Sequence, residues 1–243
     1  MGIVVLSPLR EGELDQVVLK AVFFDAGNTL IYPYPSVGEI YSRIASRHGM
    51  SFDKDEARAA FKRAFLSRRG WPLDDHKIEI DWWKGIVWDA VTSLCRPKNF
   101  DAYFEELFDF FTTAEAWKIY PEVIPTLERL KTKGLELGVI SNWDSRLLPL
   151  LNNLKLAHFF SVIAVSALVG SVKPDRGIFR YALGKVGVEP EESLHVGDNL
   201  DLDFKGARAG GLHALLLDRN HDGPGKGEIP TIASIDEVLA YTE

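Results

Sequence analysis

Five short apolar runs punctuate the chain, at residues 21–24, 135–140, 160–165, 194–196 and 214–217, each bounded by polar or glycine-rich turns. Continuous apolar runs of this length predict strands buried on both faces of a parallel sheet. Between the last four runs lie helical patterns of about a dozen residues. Pro121 opens one, with Val123, Ile124, Leu127 and Leu130 on one face and Gly134 beyond its end. A second follows Asn142 with Leu147, Leu150 and Leu151, and a third runs through Ile178, Tyr181, Ala182 and Lys185. Ser234 caps a final helix over residues 235–239. Strands alternating with helices predict an α/β fold, a Rossmann-like doubly wound parallel sheet.

The first two runs are about ninety residues apart, and a connection of that length must carry structure of its own. Its pattern is helical. Ile40 and Ile44 share one face; Asp53 and Glu56 form a capping-box signature ahead of Phe61 and Phe65; Trp83, Val87 and Val91, then Phe104, Leu107, Phe108 and Phe111, repeat the spacing. Four of the six tryptophans, Trp71, Trp82, Trp83 and Trp88, fall here. Two readings stay open: these aromatics pack a small helical domain, or one or two of them face a substrate from a cap over the sheet. The expected division is a core of residues 1–31 and 116–243 with a helical cap of residues 32–115. The stretch 220–227, NHDGPGKG, reads as a surface loop.

Composition narrows the partners more than the fold. With 46% hydrophobic and 26% charged residues the chain is an ordinary globular one. No run approaches the roughly 18 apolar residues of a membrane-spanning helix. The start, MGIVVLSPLREGELDQ, has no basic segment ahead of its apolar patch and does not read as a signal peptide. A net charge of −7 without a Lys/Arg block argues against nucleic acid or an anionic membrane as partner. Cys95 is the single cysteine, which fits a reducing, cytoplasmic setting.

Ligands of an open parallel sheet bind beyond the carboxyl ends of its strands. The residues just past each run are therefore informative. After the first come Asp25, Gly27, Asn28 and Thr29; after the second, Ser141 and Asn142; past the third, Lys173; after the fourth, Asp198, Asp201 and Asp203. A carboxylate can attack phosphorus, but two anions repel unless a cation intervenes. Asp25 and Asp198 together offer the hard oxygen ligands that Mg²⁺ takes. Lys173 would neutralise the transferring group and Ser141 would donate a hydrogen bond to it. Singly, each residue is as well read as a turn, a cap or a solvated charge: Ser141 and Asn142 suit a helix start, and Asp201 a cap for a helix through residues 204–209.

Taken in order, FFDAGNTL, VISN, VKPD and HVGDNLDLDFKGARAGG resemble the four motifs of the haloacid dehalogenase-like (HAD) hydrolases, from about residue 20 to 218. The resemblance implies a Rossmann-like core with a helical cap inserted after the first motif. It implies Asp25 as nucleophile, Ser141 and Lys173 as phosphoryl contacts, Asn142 and Thr29 as substrate contacts, and Asp25, the Gly27 carbonyl and Asp198 as Mg²⁺ ligands. Asp203 matches a second acid behind the metal; Asp201 has no counterpart. The implied substrate is a small phosphorylated metabolite; oligomeric state is not readable.

One position departs from the pattern. Most phosphatases of the family carry an aspartate where this chain has Gly27, and that side chain protonates the leaving oxygen and then activates water. Its loss is expected to cost roughly 10²–10⁴ in rate. The alternatives are a phosphate- and metal-binding regulatory protein with little turnover, a metal-independent haloacid dehalogenase, or a phosphonate-cleaving enzyme with a cap lysine such as Lys62, Lys77 or Lys84. The branch with a DxGxTL-type first motif is the nearest match.

Overall fold

All five apolar runs form parallel strands of one sheet. In the computed structural model, which describes residues 18–68, 76–220 and 229–242, the order of elements is β1 (Ala21–Phe24), β2 (Ile31–Pro33), α1 (Val37–Arg47), α2 (Lys54–Ser67), α3 (His76–Thr92), α4 (Phe100–Phe110), β3 (Trp117–Ile119), α5 (Val123–Thr132), β4 (Glu136–Ser141), α6 (Leu147–Asn153), β5 (Val162–Val165), α7 (Ser166–Val169), α8 (Arg176–Val186), β6 (Ser193–Gly197), α9 (Gly206–Ala209), β7 (His213–Leu217) and β8 (Thr231–Ile232). Residues 1–17, Trp71 and most of the 220–227 stretch lie outside the described residues.

The six-stranded sheet has the order β5-β4-β1-β6-β7-β8 with every pairing parallel. Side chains alternate between its faces as the pleat requires. Val22, Phe24, Leu137, Val139, Leu194 and Val196 pack with α5, α6 and the C-terminal turn. Ala21, Phe23, Ile140 and Ala214 pack with α8 and α9 on the other face. Both faces are thus covered, which is why the strands read as unbroken apolar runs.

Several boundaries differ from the sequence reading for local reasons. Helix α5 starts at Val123, because Pro121 and Glu122 sit in a turn closed by Val123 N–H donating to the Tyr120 carbonyl at 3.0 Å. Strand β5 starts at Val162, since a 3₁₀ turn over Ala157–Phe159 comes first. The final segment, Ile235–Tyr241, is 3₁₀ rather than α, and Ser234 with Glu237 forms the capping box. Asp201 caps nothing: Asn199 accepts from the Asp201 and Leu202 N–H groups and starts a π-helical turn, Leu200–Lys205, that leads into α9.

Helices α1–α4 occupy the long connection, which leaves and rejoins the sheet through the antiparallel pair β2–β3. They have their own core, built on Ile40, Ile44, Ile86, Val91, Tyr103 and Leu107. Ser36 caps α1 by accepting from Glu39 N–H, and Asp53 caps α2 by accepting from Asp55 and Glu56 N–H. The insertion is fastened to the sheet at the loop after β4. Buried Glu79 of α3 accepts from Ser145 N–H at 3.0 Å and Ser145 Oγ at 2.6 Å; Trp83 Nε1 donates to Asp144 Oδ2 at 2.6 Å; Arg146 donates to the Phe108 carbonyl at 3.2 Å.

Candidate active site

Strand β1 lies between β4 and β6, in register with both, so Asp25, Ser141 and Asp198 emerge side by side at one edge. Lys173 arrives from the loop between α7 and α8. Its ammonium donates to Asp25 Oδ1 at 2.6 Å, to Asp203 Oδ1 at 2.5 Å and to the Ile140 carbonyl at 2.8 Å. All three donors are therefore used. Ser141 Oγ also donates to Asp25 Oδ1, at 2.9 Å, and among the described residues none donates to Asp25 Oδ2. One carboxylate oxygen of Asp25 is anchored and the other is left for chemistry.

Asp203 is held more completely. Oδ1 takes Lys173 and His195 Nε2, the latter at 3.0 Å, and Oδ2 accepts from Asn199 N–H at 3.0 Å. A Cβ on Gly197 would stand 2.3 Å from Asp203 Cγ, so this close approach requires glycine there. Burial would raise the Asp203 carboxyl, but Lys173 and His195 outweigh it and hold it well below its ordinary value. Burial depresses the His195 imidazole, whose Nε2–H donates to Asp203 Oδ1. Burial alone would lower Lys173, yet Asp203 and Asp25 keep its ammonium above the usual lysine value.

The other two acids are short of positive charge. Burial raises the Asp25 carboxyl despite Lys173, and burial followed by the charges of Asp25 and Asp203 pushes Asp198 up to about 7. One carboxylate oxygen from each of Asp25, Asp198 and Asp203 lies within 4.8 Å of the other two. One lysine among three clustered acids leaves a deficit of a cation, and the donors are the hard oxygens a divalent magnesium ion takes. The residues present therefore fit Mg²⁺.

Asn28 stands at φ 56°, a left-handed conformation that glycine or asparagine adopts readily, and its Nδ2 donates to Asp198 Oδ2 at 3.3 Å. Asn142 turns toward the protein: its amide bonds the backbone of Lys173 in both directions, at 2.7 and 3.0 Å. It positions the lysine. Thr29 is fully buried, its Oγ1 has no partner, and it does not line the cavity over the acids, so the structure does not place it as a substrate contact. Arg219 instead holds this turn from behind, donating to the Asn28 and Thr29 carbonyls. Asp201 lies on the surface, paired with Lys205 at 2.7 Å.

That cavity has a volume of about 380 Å³. At its base are Asp25, Gly27, Asn28, Ser141, Lys173 and Asp198, and its walls are mostly aromatic side chains of the insertion, including Phe61, Phe65, Trp83, Phe104, Phe108 and Phe111. The remaining described tryptophans of α3 pack elsewhere: Trp82 stands edge-on to Phe65 and Trp83, and half-exposed Trp88 stands edge-on to Phe100. Lys62 is exposed and Lys84 pairs with Asp101 at 2.6 Å, and neither lines the cavity. The Lys77 side chain lies outside what is described.

Trp143 is a residue that sequence reasoning missed. A Cβ built on Gly27 would meet its ring at 3.2 Å, so the indole sits over the place where the family's second aspartate would project. Its position directly after VISN was visible; its contact with Gly27 was not.

A sequence profile of the haloacid dehalogenase-like hydrolases matches residues 19–211. The chain belongs to this family. Among HAD-like relatives, the haloacid dehalogenase-like hydrolase domain-containing protein 3 of Mus musculus is 30% identical over 205 residues, covering 82% of each chain. A glyceraldehyde 3-phosphate phosphatase of Methanopyrus kandleri is 37% identical over 219 residues, covering 83% of this chain and 85% of its own. The crystal structure of a HAD phosphatase from Thermococcus onnurineus superposes with a TM-score of 0.67 at 28% identity, covering 91% of this chain and 97% of that one. In this HAD-like hydrolase, Asp25 and Lys173 are buried at the carboxyl edge of the sheet.

Proposed function

We propose that this HAD-like hydrolase is a Mg²⁺-dependent phosphatase of a small phosphorylated substrate, working through an aspartyl phosphate on Asp25. The observation that carries the reading is the asymmetry of Asp25, with Oδ1 anchored by Ser141 and Lys173 and Oδ2 without a protein donor among the described residues. In the first step Oδ2 bonds to phosphorus as the bond to the leaving oxygen breaks; in the second, water attacks phosphorus, Asp25 is regenerated and inorganic phosphate leaves. Lys173 and Ser141 are the groups that accompany the transferring charge.

Asp25, Asp198 and the Gly27 carbonyl would hold Mg²⁺, with Asp203 supporting from behind. When bound, the ion would offset the negative charge of the carboxylates and the phosphoryl group. The relatives include a phosphatase. Residues 1–31 and 116–243 would form the core and residues 32–115 the cap. No helix among the described residues is long and apolar enough to cross a membrane.

Gly27 sets the pace in this reading. Among the described residues lining the cavity the acids are Asp25, Asp198 and Asp203, all committed to the nucleophile or metal roles, so no separate group is left to protonate the leaving oxygen. Substrates with good leaving groups should therefore turn over best. The same observation supports a second reading, a phosphate-binding regulatory protein with little turnover. The test is p-nitrophenyl phosphate hydrolysis with Mg²⁺ by wild type and Asp25→Asn, combined with mass spectrometry after acetyl phosphate treatment. Multiple turnovers lost in Asp25→Asn support the phosphatase; a stable adduct without turnover supports the regulator. Undiminished activity in Asp25→Asn would remove the nucleophile assignment.

A further inference from the structure

Whatever is transferred at Asp25, the cavity must also hold the rest of the substrate, and its walls are unusually uniform. Rings in mutual contact run around it from Trp143 to Trp117 (5.1 Å between centroids), to Phe111 (6.0 Å), to Tyr41 (6.3 Å), to Phe61 (5.6 Å) and to Phe65 (5.8 Å). The volume of about 380 Å³ leaves room for a group of ring size beyond a phosphate.

The cations at the walls are already committed. The cations among the described lining residues are Lys173 and Arg146. Lys173 has its three bonds within the acid cluster. Arg146 forms a bidentate pair with fully buried Asp144, at 2.8 and 2.7 Å, and lies 3.8 Å over the Phe108 ring. Trp83 Nε1 is spent on the same Asp144. The Asn142 amide is spent on the Lys173 backbone at both ends, Asn28 gives its Nδ2 to Asp198, and Asn199 gives its Oδ1 to the turn after β6. A second carboxylate or phosphate on the substrate would meet no uncommitted cation among the described lining residues. Burying such groups unpaired is costly. A flat apolar group would instead meet ring faces and edges on several sides.

We propose that the cavity selects phosphates whose organic part is a neutral aromatic or similarly flat apolar group, with Trp143 and Phe61 as walls of that subsite. The inference rests on the phosphatase reading for the position of the phosphate. It differs from that reading in excluding substrates with a second anionic group.

The test uses non-hydrolysable probes, so that leaving-group chemistry plays no part. Benzylphosphonate and phosphonoacetate each carry a phosphonate; one adds a ring and the other a carboxylate. Calorimetric titration of the full chain with Mg²⁺ present should show benzylphosphonate binding at least about tenfold more tightly, from burial of the ring. Phe61→Arg places a cation in the wall and should narrow or invert that ratio. Equal or tighter binding of phosphonoacetate by wild type overturns the substrate class while leaving the phosphate site standing. An unchanged ratio in folded Phe61→Arg overturns the placing of the subsite. Failure of both probes to bind overturns the phosphate site itself and this inference with it. Should Phe61→Arg fail to fold, the wild-type pair of titrations still decides between the substrate classes.

Discussion

Replacing Lys173 by methionine keeps most of the apolar stem of the side chain and removes its charge. In the native protein the ammonium lies 2.6 Å from Asp25 and 2.5 Å from Asp203, with side-chain exposures of 2% for Lys173 and 2% for Asp203. At an effective dielectric near 20, one such pair at about 3 Å is worth about 5 kcal/mol before desolvation is counted. Removing one partner of a buried pair typically costs about 3–5 kcal/mol, because the other charge is left behind. Protonation limits the loss. Keeping one carboxyl neutral at pH 8, about four units above its ordinary value of 3.8, costs about 6 kcal/mol, whereas at pH 5 it costs about 1.6 kcal/mol. In the variant the folded-state carboxyl pKa lies above the unfolded one, so folding is favoured at low pH and that advantage is lost as pH rises. The expected destabilisation is thus about 3–5 kcal/mol at pH 8, shrinking to about 1–2 kcal/mol at pH 5. Urea unfolding followed by tryptophan fluorescence at both pH values, without metal, measures it. A loss below about 1 kcal/mol at pH 8, or one independent of pH, would refute the picture of a lysine balancing buried acids.

Two further outcomes are expected at the same site. Gly27→Asp alone should raise p-nitrophenyl phosphate turnover little, because Trp143 stands 3.2 Å from the new Cβ, whereas Gly27→Asp with Trp143→Ala should gain roughly 10²-fold or more in kcat; equal rates for the two would show that the indole does not block that position. Mg²⁺ affinity of the apo protein should be level above about pH 7 and fall below it, because Asp198, pushed up to about 7 by burial and its acidic neighbours, must lose its proton to bind the ion; calorimetry showing constant affinity from pH 8 to pH 5.5 would contradict that.

Much of the fold was legible because its strands are buried on both faces. Such strands appear as runs with no polar interruption, and the run at 21–24 coincides with β1. Edge elements carry no such signal: β8 has two residues, and β2 and β3 have three each, too few for any periodicity. Asp25, Ser141, Lys173 and Asp198 were legible as chemistry at strand ends, and the structure brings them to one cavity. Thr29 was placed too near the substrate because the direction a side chain faces at a strand end depends on the turn around it, whereas Asn142 does line the cavity while its amide holds the Lys173 backbone. Trp143, His195 and Asn28 act through partners 116, 8 and 170 positions away in the chain, contacts that only folding creates.

Order along the chain therefore determined which residues could do chemistry: an acid after the first strand, a hydroxyl after the next, a lysine and further acids later. It also determined that Gly27 lacks the side chain most family phosphatases carry there, since that is a matter of composition. Tertiary structure decided how charge is shared among them. Asp198 rises while Asp203 falls, although both are aspartates five residues apart: burial raises both, but Lys173 and His195 hydrogen-bond Asp203 and not Asp198. It also decided that the space above Gly27 is filled by an indole and walled by rings. Local pattern sets what each residue is; the electrostatic and steric consequences fall off over a few ångströms, and only the folded chain sets those distances.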